Sequence, residues 1–494
     1  MATTIRGIRL AGSGYVLTQV LNLVAYLVLV RLLTPSDYGI FAAGSLITGI
    51  GGLFAESGML AALIKREDRL DEAASTAFYA LLVSGLGLVL ASLAASPLLG
   101  LAFHSRQVAL VTAALSGWLF IRALTIVPDA LLQRSFSFRR RVIVDPLGVV
   151  AYAAAGIPLA ASGAGVWALV AAAYASIAVE AAAAWLACGF RPRRRQASVA
   201  MWRELATFSR PLVIGEVLRR VTLQVDVFVL GRFTTAATLG QYRNGQMLAA
   251  QPGGVFSQVT SYVILPAFAR LAVVPGRIAA AARHAYWVAY TVIVPMSAAL
   301  VPLGVPLALT LLGPTWRSAG HAIAALSGAL LGNCVWSISA ELMKGIGALR
   351  FQLRLQWLAL VFTVLFVVPA GILWGLIGVS LAVSAATCLI VSLIMVGIAR
   401  LLRLSPGQLF GGLVGPAIAS LPMVGAMVLF QNAVNITAAP ELRRIAMLLA
   451  DVVLGAAVYC AVLAVIDRGR RELGISLLRT ARRRLSRPVS ARSA

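Results

Sequence analysis

The feature that constrains this chain most is a series of apolar segments, each about 20 residues long, separated by short loops rich in charge, Pro or Gly. At a rise of about 1.5 Å per residue, such a segment forms a helix that crosses a hydrocarbon core of about 30 Å. With 60% hydrophobic and 12% charged residues in 494, the chain has too little polar surface for a soluble globule. We therefore predict an all-α integral membrane protein.

The pattern predicts about fourteen transmembrane helices, the first of them an uncleaved helix and not a signal peptide. The segments lie near residues 13–32, 38–63, 75–96, 108–131, 142–162, 165–189, 206–231, 237–266, 282–303, 319–343, 351–372, 376–399, 408–430 and 444–466. We expect two pseudo-symmetric six-helix bundles around a central cavity, plus two C-terminal helices. The predicted domains are a bundle over 1–190, a basic cytoplasmic linker over 191–205, a second bundle over 206–402, two further helices over 403–467 and a basic cytoplasmic tail over 468–494.

The basic residues predict the orientation, because short cytoplasmic loops retain an excess of Lys and Arg. If the N-terminus is cytoplasmic, 31 of the 42 Lys and Arg residues fall on that side, against six on the other and five within spans. We therefore predict that both termini are cytoplasmic. The net charge of +25 is spread over short loops and not gathered on one soluble module, which argues against nucleic-acid binding.

An internal repeat appears when the halves are compared at an offset of 201 residues. The segment 31–41 then aligns with 232–242, and Arg31, Thr34 and Gly39 meet an identical residue. Each copy falls in the turn between the first and second helix of a six-helix set, which predicts repeats of the same orientation around a central path. In the first copy, Thr34 is expected to cap the next helix, with Asp37 as the acid of a capping box.

These segments also resemble a known family. Residues 31–39 (RLLTPSDYG), 58–64 (GMLAALI), the acidic and basic loop 65–72, and the stretch from 241–244 (QYRN) to 265–268 (LPAF) are similar to the polysaccharide transporter family. That family includes Wzx-type flippases within the multidrug/oligosaccharidyl-lipid/polysaccharide exporter superfamily. The resemblance covers nearly the whole chain and implies two six-helix bundles plus two helices.

The seventh predicted span is exceptional, because ionisable residues are costly inside a membrane unless they face water or a partner. Successive residues of a helix are rotated by 100°, which places five polar side chains of this span within an arc of about 160°. This arrangement predicts a face that lines a water-filled cavity. The five residues are Glu216, Arg219, Arg220, Gln224 and Asp226. The alternative is packing alone, with Glu216 paired to the arginines three and four residues further on.

Arginine suits a lipid-linked diphosphate, because its planar, permanently charged donors match phosphate oxygens. We predict a substrate-binding cavity lined by Arg210, Arg219, Arg220, Arg243, Arg122 and Gln224. Possible ion-coupling residues are Glu216, Asp226 and Glu180, although acids paired to arginine usually stay ionised. The sequence carries no Walker A pattern, metal-ligand spacing or plausible catalytic triad, so we expect no enzyme activity, no metal and no cofactor.

The predicted function is a flippase of the bacterial inner membrane. It would move undecaprenyl-pyrophosphate-linked oligosaccharide repeat units from the cytoplasmic to the periplasmic leaflet by alternating access, for exopolysaccharide, capsule or O-antigen synthesis. The expected partners are this polyprenyl-pyrophosphate-linked oligosaccharide, membrane lipid and polysaccharide polymerase or export machinery, with no nucleic acid. The alternative is an ion-coupled drug or cation exporter of the same superfamily, which predicts an acidic cavity with fewer intramembrane arginines.

Overall fold

The computed structural model describes residues 18–56, 63, 68–134, 138–271 and 277–467, and their regular structure is helical. The α-helices are α1 (Thr18–Leu32), α2 (Pro35–Gly44), α3 (Leu46–Glu56), α4 (Leu70–Ala102), α5 (Arg106–Arg134), α6 (Phe138–Ala161), α7 (Val166–Cys188), α8 (Val199–Phe233), α9 (Ala236–Leu271), α10 (Arg277–Leu311), α11 (Arg317–Ala325), α12 (Ser327–Gly345), α13 (Leu349–Leu401), α14 (Pro406–Val434) and α15 (Glu441–Ile466). Short 3-10 segments lie at Arg194–Gln196, Pro314–Trp316 and Ile436–Ala438. The all-α prediction is confirmed.

The helices follow the predicted spans closely. The third to sixth spans each coincide with one helix, α4 to α7, and the second is divided between α2 and α3. The eleventh and twelfth spans are both contained in α13, which is interrupted by non-helical backbone at Gly375 (φ 56°, ψ −132°). That left-handed φ is accessible to glycine, and Gly375 lies in the predicted gap between 372 and 376. Residues 13–17, 57–62 and the tail 468–494 lie outside the described part of the chain.

Eight helices of the described residues are long and apolar enough to cross a bilayer, and counting two bent pairs as single spans raises the number to ten. The bent pairs are α1 with α2, at 118°, and the segment 314–325 with α12, at 50°. The length of α13 accommodates two of the predicted spans. Neither α8 nor α9 belongs to this set, because both carry many polar residues. These polar residues make the two helices candidates for a functional site.

The described helices belong to two compact units. The first contains Met1–Asn244, Leu311–Trp316 and Gln356–Ala382, and the second contains Gly245–Thr310, Arg317–Leu355 and Val383–Ala494. In the first unit, α4, α5 and α8 share one apolar core, while α1, α6 and α7 share another. In the second unit, α10, α14 and α15 pack around Leu303, Met427 and Tyr459.

The two copies of the repeated turn begin their helices in the same way. Thr34 caps α2: its hydroxyl accepts a hydrogen bond from the Asp37 amide, and the Asp37 carboxylate accepts one from the Thr34 amide at 3.0 Å. The predicted capping box is therefore confirmed. At the equivalent position, 201 residues later, the Thr235 hydroxyl accepts a hydrogen bond from the Thr238 amide at 3.2 Å.

The repeated glycines bring α2 and α9 into backbone contact within the first unit. A methyl group added to Gly39 would overlap the carbonyl oxygen of Ala236, and one added to Gly240 would overlap the carbonyl oxygen of Pro35. The two contacts are equivalent by the repeat, because Gly39 and Gly240 are 201 residues apart, as are Pro35 and Ala236. The glycine shared by the two copies therefore allows a reciprocal helix crossing, in which the backbones are too close for a side chain.

Candidate functional site

The polar face of α8 contains a local ion-pair cluster. The Glu216 carboxylate accepts hydrogen bonds from both Nε and Nη2 of Arg219, the first at 2.8 Å. Its Oε1 also lies 3.6 Å from Nε of Arg220. The local pairing expected from the spacing is thus present. One carboxylate serves two guanidinium groups, so this part of α8 keeps a net positive charge.

Arg220 is held less completely than Arg219. Its Nε is buried and donates no hydrogen bond to any residue of the described chain, since 3.6 Å is too long for one. About a third of the Arg220 side chain is still exposed, at 37%. Arg220 therefore carries a positive charge on a side chain that is partly open to the space beside α8.

That space is a pocket of about 290 Å³ within the first unit. Helices α2, α3, α5, α7, α8 and α9 contribute to its wall. The lining residues are Phe41, Ser45, Thr48, Gly49, Leu115, Trp118, Ala173, Arg220, Gln224 and Arg243. Three residues of the predicted cavity, Arg220, Gln224 and Arg243, therefore meet around one space.

The pocket lies part-way along α8 and α9. Arg220 is 13 residues before the end of α8 at Phe233, or about 20 Å along the axis, and Gln224 is one turn closer. Arg243 is seven residues after the start of α9 at Ala236, or about 10 Å. The positive charges therefore lie within both helices and not at their ends.

Aromatic and small residues shape the rest of the pocket. Gly49 on α3 leaves room for the Gln224 amide, which would meet any side chain placed there. Trp118 and Phe41 supply flat apolar walls, and Ser45 and Thr48 supply hydroxyl groups. The pocket therefore combines flat apolar walls with several convergent polar groups, which suits a ligand that carries polar groups.

Asp226 lies on α8 but is absent from the pocket lining. It is 3% exposed, and its Oδ2 accepts a 2.5 Å hydrogen bond from the Tyr242 hydroxyl on α9. Its Oδ1 accepts a 2.8 Å hydrogen bond from the Val227 amide. The carboxylate is therefore directed toward the α8 and α9 contact.

Arg122 and Glu180 belong to a second polar group in the first unit. Nη1 of Arg122 lies 3.7 Å from the Asp129 carboxylate and 3.4 Å from the Thr125 hydroxyl. Glu180 on α7 accepts a 3.0 Å hydrogen bond from Ser176. Neither residue lines the described pocket. The side chain of the remaining predicted residue, Arg210, lies outside the described part of the chain.

Several buried polar contacts escaped the sequence analysis. Tyr26 on α1 and Tyr242 on α9 form buried hydrogen bonds with Asn244 and Asp226, and neither tyrosine was predicted to be functional. The signal was present in the segment 241–244, where three polar residues surround Arg243. Asp451 on α15 was also missed; it is fully buried, and its Oδ2 accepts a 2.7 Å hydrogen bond from Gln431.

Comparison with known proteins agrees with this architecture. The structure of the lipid II flippase MurJ in its inward closed conformation matches with a TM-score of 0.77 and 14% identity, over 93% of this chain and 99% of that one. An inward-facing multidrug resistance MATE family transporter matches with a TM-score of 0.62 and 18% identity, over 78% of this chain and 94% of that one. The described residues therefore share the all-helical fold of these two membrane proteins.

The sequence comparisons give the family within that class. The family model described as "Polysaccharide biosynthesis protein" matches residues 28–321, more than half of the chain, so the chain belongs to this family. The succinoglycan biosynthesis transport protein ExoT of Rhizobium meliloti (strain 1021) is 24% identical over 412 residues, which cover 83% of this chain and 81% of the relative. The predicted resemblance to polysaccharide transporters is confirmed.

Proposed function

We propose that this protein is a flippase for undecaprenyl-pyrophosphate-linked oligosaccharide repeat units. The observation that carries the proposal is the pocket of the first unit, where Arg220 and Arg243 meet Gln224. Guanidinium groups bind phosphate oxygens through several charge-assisted hydrogen bonds, and Gln224 adds an amide that can pair with sugar or phosphate. A succinoglycan transport protein among the relatives supports a glycan-bearing cargo.

The size of the pocket indicates which part of the cargo it holds. A volume of about 290 Å³ is at the lower end of small-ligand pockets, which range from about 300 to 1,000 Å³. It accommodates a diphosphate with part of one sugar and excludes a whole oligosaccharide. The pocket would thus recognise the diphosphate common to all such lipids, while the variable sugars occupy other space and the polyprenyl tail stays in the bilayer.

Translocation then requires the site to face each side of the membrane in turn. We propose alternating access between two bundles at 1–190 and 206–402, with both termini in the cytoplasm as the distribution of basic residues predicts. In a bacterial inner membrane this would deliver the repeat unit to the periplasmic leaflet, where a polymerase or export complex uses it. Glu180 is the acid best suited to ion coupling, because Glu216 is already paired with two arginines.

The charge of the pocket argues against the rival function. A drug or cation exporter needs acidic groups that attract its substrate, whereas this pocket is lined by two arginines and no acid among the described residues. A cation entering it would be repelled at short range in a medium of low dielectric constant. The same arrangement attracts anions, as a diphosphate requires.

The proposal is tested with three single variants in cells that lack the native gene. Arg220→Ala and Arg243→Ala are expected to abolish polymer export and to cause lipid-linked repeat units to accumulate in the cytoplasmic leaflet. The matched control is Arg232→Ala, because this exposed arginine at the end of α8 contacts His104 and the Phe233 ring outside the pocket. Normal export by both pocket variants at normal expression would refute the proposed binding role.

A further inference from the structure

The two residues that flank Arg243 are buried, and each is bound to a different helix. The hydroxyl of Tyr242, which has no exposed surface, donates the 2.5 Å hydrogen bond to Asp226 on α8. Asn244 is 2% exposed, and its Oδ1 accepts a 2.7 Å hydrogen bond from the Tyr26 hydroxyl on α1. Arg243, between them, is exposed and lines the pocket.

These contacts fix the rotation of α9 about its axis. Successive residues of a helix point about 100° apart, so a rotation that withdraws Arg243 from the pocket also moves both neighbours from their partners. Such a rotation would leave the Asp226 carboxylate and the Asn244 amide buried without these hydrogen bonds, which is strongly unfavourable. Gln241 adds a third anchor, since its amide donates a 2.6 Å hydrogen bond to the Thr315 carbonyl oxygen.

We propose that Asp226 and Tyr26 are positioning residues that act through Tyr242 and Asn244 to hold Arg243 in the pocket. The proposal rests on the proposed function and assigns Asp226 this role in place of ion coupling. A guanidinium fork binds a diphosphate well only when its donors are correctly directed, and a residue fixed in advance loses less freedom on binding. The four-residue segment 241–244 thus contains one binding residue and three anchors.

The test measures the affinity of the purified full-length protein in detergent for inorganic pyrophosphate, by isothermal titration calorimetry. Arg243→Ala is expected to weaken binding about tenfold or more, because it removes charge-assisted hydrogen bonds. Tyr242→Phe and Tyr26→Phe, which remove only the two hydroxyl groups, should each weaken it several-fold. The matched control is Tyr286→Phe, which removes a buried hydroxyl bonded to Ser339 in the second unit and should leave the affinity unchanged.

The double variants separate positioning from a general loss of structure. If Tyr242 acts through Arg243, Tyr242→Phe should cause no further loss of affinity once Arg243 is alanine. An equal loss in both backgrounds, or no loss from either tyrosine variant, would overturn the positioning role. Unchanged affinity in Arg243→Ala would instead refute the proposed binding pocket itself, so the two failures are distinguishable.

Conservative replacement of Asp226 separates positioning from ion coupling. Asp226→Asn keeps an oxygen that accepts the Tyr242 hydroxyl but cannot ionise, so both pyrophosphate affinity and cargo transport should be retained. Asp226→Ala removes the acceptor and should weaken pyrophosphate binding as Tyr242→Phe does. If Asp226→Asn binds pyrophosphate normally but transports nothing, Asp226 is an ion-coupling residue and the positioning assignment is wrong.

Discussion

The reciprocal crossing of α2 and α9 predicts that Gly39→Ala destabilises the protein severely. The added methyl group would overlap the Ala236 carbonyl oxygen, which is backbone and cannot rotate away as a side chain can. The helices must separate, and the equivalent contact between Gly240 and Pro35 is disturbed with them. Overpacking costs about 1–3 kcal/mol, and a rigid backbone neighbour places this case near the upper value.

The comparison needs a glycine whose replacement meets no obstacle. Gly87 lies within α4, and no atom of the described residues lies within 4 Å of an added methyl group. Gly87→Ala should therefore be neutral or should stabilise the helix by about 1 kcal/mol, through the higher helix propensity of alanine. Both variants gain that propensity, so the difference between their free energies of unfolding gives the cost of the steric overlap alone. We expect about 3 kcal/mol, or roughly a hundredfold in the ratio of folded to unfolded protein.

Denaturant unfolding of the purified variants, followed by tryptophan fluorescence in one detergent, measures this difference. The double variant Gly39→Ala with Gly240→Ala should cost less than the sum of its two single changes, because the first already separates the helices. Equal stability of Gly39→Ala and Gly87→Ala would refute the reasoning. It would mean that the repeated turns do not need close backbone contact.

Three further variants test other parts of the structure. Gly49→Ala should reduce pyrophosphate affinity with little change in stability, because the new methyl group displaces only the flexible end of Gln224. Calorimetry measures the affinity, and denaturant unfolding of the same variant measures the stability. Glu216→Gln should lower the unfolding free energy by about 1–2 kcal/mol, because it weakens the ion pairs of Glu216 with Arg219 and Arg220. The loss should be smaller than the roughly 3–5 kcal/mol of a fully buried pair, since both pairs are partly exposed. An unchanged unfolding free energy would show that the two pairs contribute nothing to stability. Asp451→Asn should leave the stability equal or higher, because Oδ1 of this fully buried acid has no hydrogen-bond partner in the described chain and a charge left there would be unfavourable. A loss above about 2 kcal/mol would contradict this reasoning.

The spans and the polar face of α8 could be predicted because they depend on periodicity along the chain. A bilayer demands runs of apolar residues of a fixed length, and any break in such a run is visible in the sequence. The gap between 372 and 376 therefore marked the interruption at Gly375. The cap at Thr34 was equally predictable, because its partner Asp37 is only three residues away.

The candidate site was predicted in part. Arg220, Gln224 and Arg243 were chosen for their charge and polarity, and they do line one pocket. Arg122 was chosen on the same grounds, but it lies next to Asp129 on its own helix and is not among the residues that line the pocket. A charge within a span shows that burying the residue alone would be unfavourable, but it does not show whether the compensating group lies on the same helix or on another.

The sequence alone determined that this chain is a multi-helix membrane protein with a repeated turn and an excess of positive charge inside one span. These properties follow from local composition and spacing, which the bilayer constrains directly. Only the tertiary structure decided that Arg220 and Arg243 share a pocket and that Asp226 is bonded to Tyr242. The physical reason is that hydrogen bonds between helices depend on the rotation and depth of each helix, which are set by packing with distant parts of the chain.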